Sequence, residues 1–236
     1  NLIQSCIIED RKGNIWIGTW DGLNKISAAD KKILFTDPGS VKFVRYKFKQ
    51  DNAYSLSDNR VISAYEDNKG NLWFGTYGGG LNMLPADQHE LTKPKFYNYT
   101  TEEGLPSNII YSVEGDNNDN IWLSTDDGLA VLNRQTGKFK IYDVSDGLQG
   151  NQFFWGAGCK GKNGEMFFGG TNGFNAFNPE DLKIKAHIPP IVITSFQIFN
   201  RPVVPGSKNS PLVKSILETK EIELSYSENV FSFEFA

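Results

Sequence analysis

Apolar and polar residues alternate along most of this chain in short runs, broken by clusters of Gly, Asp and Asn. One stretch shows the pattern in full. Val61–Glu66 reads as a first strand (A), Asp67-Asn68-Lys69-Gly70 as a tight turn, and Leu72–Thr76 as a second strand (B). A Gly-rich turn follows. Leu81–Leu84 then makes strand C and Lys95–Tyr99 strand D, with Phe96, Tyr97 and Tyr99 supplying β-propensity. Asp21-Gly22, Asp127-Gly128 and Asn172-Gly173 suit turns that need a positive φ.

The pattern repeats. Gly13-Asn14-Ile15-Trp16-Ile17-Gly18-Thr19, Gly70-Asn71-Leu72-Trp73-Phe74-Gly75-Thr76 and Asp119-Asn120-Ile121-Trp122-Leu123-Ser124-Thr125 align with one another. Gly164-Glu165-Met166-Phe167-Phe168-Gly169-Gly170 is a degenerate fourth copy in which Phe167 replaces the Trp. The period of about 45 to 57 residues is that of a propeller blade of four strands. The predicted fold is therefore all-β, with blades at about 1–50, 58–100, 108–143 and 151–178. Trp16, Trp73, Trp122 and Phe167 are expected to pack between neighbouring blades. Connectors bearing Asn59, Asn108 and Asn151 precede successive A strands, and these side chains are expected to tie the turns. Asp10, Asp67 and Asp116 open the A–B turns; one carboxylate in a four-residue turn is too little for calcium, which takes six or more oxygens.

The motif Glu-Asp-x-x-Gly-Asn-(Ile/Leu)-Trp-(Ile/Phe)-Gly-Thr, followed by Gly-Leu, resembles the two-component regulator propeller repeat. The first two copies match closely; the third departs at Ser124, and the fourth at Phe167 and at Gly161, where the turn Asp is missing. The resemblance covers about the first 178 residues and implies a periplasmic sensor region of a hybrid two-component system of Bacteroides-type bacteria. Four blades, with no clear D strand in the last, read as the C-terminal half of a larger, seven-bladed ring; a closed four-bladed ring is the alternative. The chain opens at Asn1 without Met and stops inside an apolar alternation, which reads as a fragment with an exposed blade edge.

Past residue 180 the turn rhythm stops. Residues 181–190 read as a linker ending in Pro189-Pro190. From 191 to 236, alternating runs at 191–200, 221–226 and 230–235 resemble the opening of the immunoglobulin-like three-tyrosine domain that follows such propellers. In that family it joins the propeller to a transmembrane helix.

The formal net charge of -4 argues against a nucleic-acid groove, and no apolar run approaches the roughly 18 residues needed to span a bilayer. Cys6 and Cys159 read as two buried side chains on equivalent strands. His89, in the C–D loop of the second repeat, and His187, in the linker, read as solvated. There is no HExxH, GxSxG, phosphate-binding loop or Cys/His pair at metal spacing, so no catalytic residue, metal or other cofactor is predicted. A propeller lyase would need a histidine on an inner strand, and none is present.

Binding has better support. In a four-stranded blade the B–C turns and the D–A connectors share one face. Trp20 and Tyr77 on that face are the expected stacking surface for a sugar ring, with Asp21, Asp126, Asp127 and Asn172 as hydroxyl partners. Trp155, on the inner strand of the fourth repeat, is a further candidate. The resemblance implies an oligosaccharide ligand, a homodimeric parent in the inner membrane, and control of polysaccharide-utilisation genes through a histidine kinase. A scaffold that holds a dimer together without sensing anything is the competing expectation.

Overall fold

The computed structural model describes residues 3–182, 192–207 and 210–235. The chain divides into two compact units, Asn1–Lys183 and Ile184–Ala236.

The first unit is a row of antiparallel sheets, each laid down in sequence order. The first blade contains β1 (Ile3–Glu9), β2 (Ile15–Thr19), β3 (Gly22–Ile26) and β4 (Phe43–Tyr46). A short helix, α1 (Ala28–Ile33), lies between its last two strands. The second contains β5 (Val61–Glu66), β6 (Leu72–Thr76), β7 (Leu81–Leu84) and β8 (Tyr97–Tyr99). The third contains β9 (Ile110–Gly115), β10 (Ile121–Thr125), β11 (Leu129–Asn133) and β12 (Lys138–Tyr142). The fourth has, among the described residues, the three strands β13 (Phe153–Lys160), β14 (Met166–Gly170) and β15 (Gly173–Phe177).

In the first three blades the A–B turn is built around an Asp. The Asp10 carboxylate accepts the backbone N–H of Lys12 and Asn14, the Asn14 amide, and at 2.8 Å the indole N–H of Trp16. Asp67 does the same for Lys69, Asn71 and Trp73, and Asp116 for Asn118, Asn120 and Trp122. A buried indole N–H left unpaired is costly, so the Trp requires the Asp. In the fourth blade donor and acceptor have gone together, leaving Phe167 and Gly161. The turn also needs one residue at positive φ, supplied by Gly13 (84°) and Gly70 (79°), and by Asp119 (63°) in the third blade.

The core lies between blades. Trp16 packs on Tyr46 of its own blade and Phe74 of the next, Trp73 stacks on Tyr99, and Trp122 meets Tyr142 and Phe177. On the fourth blade the corresponding face is uncovered among the described residues. Phe174, which occupies the place of the buried Leu23, Leu81 and Leu129, is 67 % exposed. The same reason corrects the expectation for Cys159: it is exposed, paired with Phe167 as Ile8 is with Trp16, whereas Cys6 is buried.

In the second unit β16 (Ile193–Ile198) pairs with β17 (Arg201–Pro202) on one side and β18 (Phe231–Phe235) on the other. Phe196 stacks on Phe233 across that ladder. Most of the 181–190 linker, including His187 and Pro189-Pro190, lies outside the described residues.

Candidate functional site

The inner strands β1, β5, β9 and β13 stand side by side and wall a channel of about 190 Å³ lined by Cys6, Ser63, Glu114 and Gly158 among others. Every A–B pairing carries a register shift toward the mouth of this channel, at Ile3/Ile7, Val61/Ser63, Ser124/Thr125 and Phe153/Gly158. The irregularities bend the ladder where the loops gather.

The B–C turns at that mouth are set by a repeated threonine. Thr19, Thr76 and Thr125 each donate to a glycine carbonyl across the turn at 2.8 Å, and each accepts a backbone N–H from within it. The next connector clamps the turn from outside. Asn59, Asn108 and Asn151 accept, through their backbone carbonyls, the N–H of Gly22, Gly80 and Gly128, while their side-chain oxygens hold Phe48, Thr101 and Val144. The residue after each threonine is thereby fixed at the channel mouth: Trp20, Tyr77 and Asp126.

Three of the predicted residues meet there. Trp20 and Tyr77 lie 5.8 Å apart between ring centroids, Tyr77 and Trp155 5.6 Å, and Trp20 and Trp155 6.0 Å. Trp20 and Trp155 each remain 37 % exposed. Arg60, held by Asp58 at 2.6 Å, lies over the Tyr77 ring and fixes it. Beside the aromatics is a cavity of about 380 Å³ lined by Tyr77, Tyr111, Asp126, Phe154, Trp155 and Thr171. Tyr111 donates to Asp126 at 3.2 Å. Burial, then the neighbouring Asp126 charge, push the Tyr111 hydroxyl up to about 12, so it stays a donor at any physiological pH.

The other two predicted carboxylates are spent on the scaffold. Asp21 accepts from Lys47 at 2.6 Å, which with Arg45 holds its carboxyl below the ordinary value. Asp127 accepts from Asn151, whereas Asn172 is tied only through its backbone N–H, which donates to Gln149, and its exposed side chain stays on the loop surface. Tyr111, Phe154 and Thr171 were not among the expected residues. Only the apolar alternation of the A strands hints at Tyr111, whereas Thr171 stands in the fourth repeat where Trp20, Tyr77 and Asp126 stand in the others.

His89, expected in solvent, is buried. The loop at 85–96 folds back on the first blade, where Lys12 donates to Ala86, Lys25 to the His89 carbonyl and Glu90, and Asn14 to Glu90. The imidazole stands edge-on to Trp16 at 5.7 Å, with Nδ1 3.3 Å from Asp10 but outside hydrogen-bond geometry. Burial holds its pKa below 6.5 despite that carboxylate. Among the described residues no group of three or more His, Cys, Asp or Glu could hold a metal ion.

Repeated antiparallel sheets, a shared turn chemistry and an interblade core define a β-propeller. Residues 1–21, 55–78 and 104–127 match the family described as two component regulator propeller, and these segments are repeats of that kind. The structure superposes on the extracellular domain of the hybrid two component system BT3049 of B. thetaiotaomicron with a TM-score of 0.70 and 29 % identity. That match covers 99 % of this chain and 29 % of the other. Histidine kinase P4 of Formosa agariphila is 29 % identical over 283 residues, the whole of this chain and 20 % of that protein. PorZ of Porphyromonas gingivalis, a surface component of the type-IX secretion system, shares the fold at a TM-score of 0.55 and 15 % identity, over 73 % of this chain and 25 % of that one. The chain thus spans a fifth of the curated relative and under a third of the solved extracellular domain.

Proposed function

We propose that this chain is a sensory segment of a hybrid two-component receptor that faces the periplasm and takes an oligosaccharide at the channel mouth. The observation that carries the reading is the meeting of Trp20, Tyr77 and Trp155, from three different blades, beside the Tyr111–Asp126 pair. A pyranose ring has an apolar face for the aromatics and an edge of hydroxyls for Asp126, Tyr111 and Thr171. Because the three rings belong to different blades, a ligand that bridges them changes the balance between blade arrangements, and only such differential contact can transmit a signal. In the parent protein the immunoglobulin-like segment from residue 191 relays the change to a dimer and its histidine kinase, which governs polysaccharide-utilisation genes. The four blades are part of a seven-bladed ring in this reading.

Calorimetric titration of the complete extracellular region with a panel of neutral oligosaccharides tests it. Heat of binding that is lost in Trp20→Ala and in Trp155→Ala supports the reading; no heat with any glycan overturns it. The mutual packing of the three rings favours a second reading, in which they only lock the blades together. Variants that melt early yet signal normally in cells would favour that scaffold role.

A further inference from the structure

The rim between the first and second blades carries a cavity of about 740 Å³. Its walls are built from segments that are longer here than in the third blade. The connector from β4 to β5 spans residues 47–60, against 100–109 and 143–152 for its counterparts. The loop from β7 to β8 spans 85–96, against 134–137 between β11 and β12. The extra chain is ordered by its own bonds. Lys49 donates its N–H to Ser55, Tyr54 to Asn52, and Phe96 to the Tyr54 carbonyl at 2.9 Å, which joins the two walls.

The chemistry of the groove differs from that of the channel mouth. Arg45, Lys47, Lys49 and Lys93 line it, with Asp51 the one acidic residue in the lining. Asp21 engages Lys47 and Arg45, but no ion pair holds Lys49 or Lys93 among the described residues. In a chain of net charge -4 this is a local concentration of cations and not a reflection of composition. The floor is apolar, with Leu56 and Phe96 buried beneath Tyr46. Tyr54, 46 % exposed on the wall, has the Lys95 ammonium 4.7 Å from its ring centroid.

We propose that this rim groove binds an acidic saccharide, with carboxylate or sulfate groups against Arg45, Lys49 and Lys93 and a sugar face on Tyr54. Gln50 and Thr92, also in the lining, take hydroxyls. The volume is that of a ligand-sized cleft, and the ordered walls lower the cost of binding. This site is separate from the one at the channel mouth and does not rest on it.

The test is calorimetry on the full chain with five probes: a heparin-derived tetrasaccharide, tetragalacturonate, cellotetraose, inorganic sulfate and tetraglutamate. One of the two acidic tetrasaccharides is expected to bind at least ten-fold tighter than the last three, and which one it is separates sulfate from carboxylate. The Lys49→Ala/Lys93→Ala double variant is expected to lose at least ten-fold. Tyr54→Ala, which leaves the charge unchanged, is expected to lose about five-fold. Equal or tighter binding of cellotetraose, sulfate or tetraglutamate overturns the proposal, as does full affinity in either variant or no binding of either acid. Trp20→Ala leaves this binding intact, so its failure and that of the channel-mouth reading are distinguishable.

Discussion

Arg134 of the third blade reaches back across the blade boundary to Asp67 of the second, placing Nη1 2.5 Å from Oδ2. The same carboxylate oxygen accepts the Trp73 indole at 3.0 Å, and the guanidinium lies 4.8 Å from the centroid of that ring. One Asp therefore ties its own turn, its own core Trp and the neighbouring blade. In the first blade Asp10 keeps the first two roles and has His89 in place of the arginine. In the third, Asp116 holds Trp122, which is covered by Phe177 and not by a cation.

These three versions make a graded prediction. Asp67→Ala leaves a buried indole and a mostly buried guanidinium unpaired and is expected to cost about 3–5 kcal/mol. Asp116→Ala strands only the indole and turn donors, for about 1–3 kcal/mol. Urea unfolding of the two variants checks the ordering. Equal losses would mean that the Arg134 contact contributes nothing to holding the blades.

The first blade boundary is expected to be acid-sensitive. Burial depresses the His89 pKa below 6.5, so the folded chain binds fewer protons at this residue than the unfolded chain. This contribution to stability is complete above pH 6.5 and is lost as pH falls toward the folded value. Asp10 attracts the proton, while Lys12 and Lys25 oppose it; Glu90 is occupied by Lys25 and Asn14. Unfolding free energies measured from pH 7.5 down to 5 should decline, and His89→Phe should flatten that decline. An unchanged slope in the variant would refute the assignment.

Much of the propeller was legible because its determinants are local. Val61–Glu66, Leu72–Thr76 and Leu81–Leu84 form strands with the bounds that the alternation and the Asp-x-x-Gly turn imply. Strand D of that blade begins at Tyr97 and not at Lys95, because the Lys95 N–H is taken by Gln88 and that of Phe96 by Tyr54. Contacts of that kind come from other parts of the fold and leave no trace in a repeat pattern. His89 was misread for this reason, since its burial is imposed by the first blade. At the candidate site, Trp20 and Tyr77 could be found from their place after the turn threonine. That the Asp21 and Asp127 carboxylates are engaged depends on Lys47 and Asn151, which only the folded chain brings near.

Glu114 carries a pH dependence of the opposite sign. It lines the channel between the inner strands, where burial pushes its carboxyl up to about 7 against a weaker pull from Lys160. With the folded value above the unfolded 4.5, the folded state binds more protons, so stability is greatest below 4.5 and is lost as pH rises through about 7. Glu114→Gln supplies a neutral group of the same shape and should stabilise the chain above pH 7 by on the order of 2 kcal/mol. Thermal unfolding at pH 5 and pH 8 separates the outcomes: the gain belongs at pH 8 alone.

The channel-mouth aromatics make the sharpest separation between binding and scaffolding. Trp155 touches both Trp20 and Tyr77, so its removal deletes two ring contacts, each worth about 0.5–1.5 kcal/mol beyond area burial. Trp155→Ala is therefore expected to lower stability by about 1–3 kcal/mol while weakening a bound oligosaccharide by ten-fold or more. Stability loss alone would suit a ring that merely locks the blades, so a second variant is needed. Tyr111→Phe keeps the ring and removes only the hydroxyl that Asp126 accepts at 3.2 Å. The carboxylate is half-buried and can turn to water, so unfolding should change by under about 1 kcal/mol. A ligand that needs Asp126 held in place should bind several-fold more weakly. If Tyr111→Phe leaves affinity untouched while Trp155→Ala alters only the melting temperature, the mouth is a packing device and the sugar site lies elsewhere.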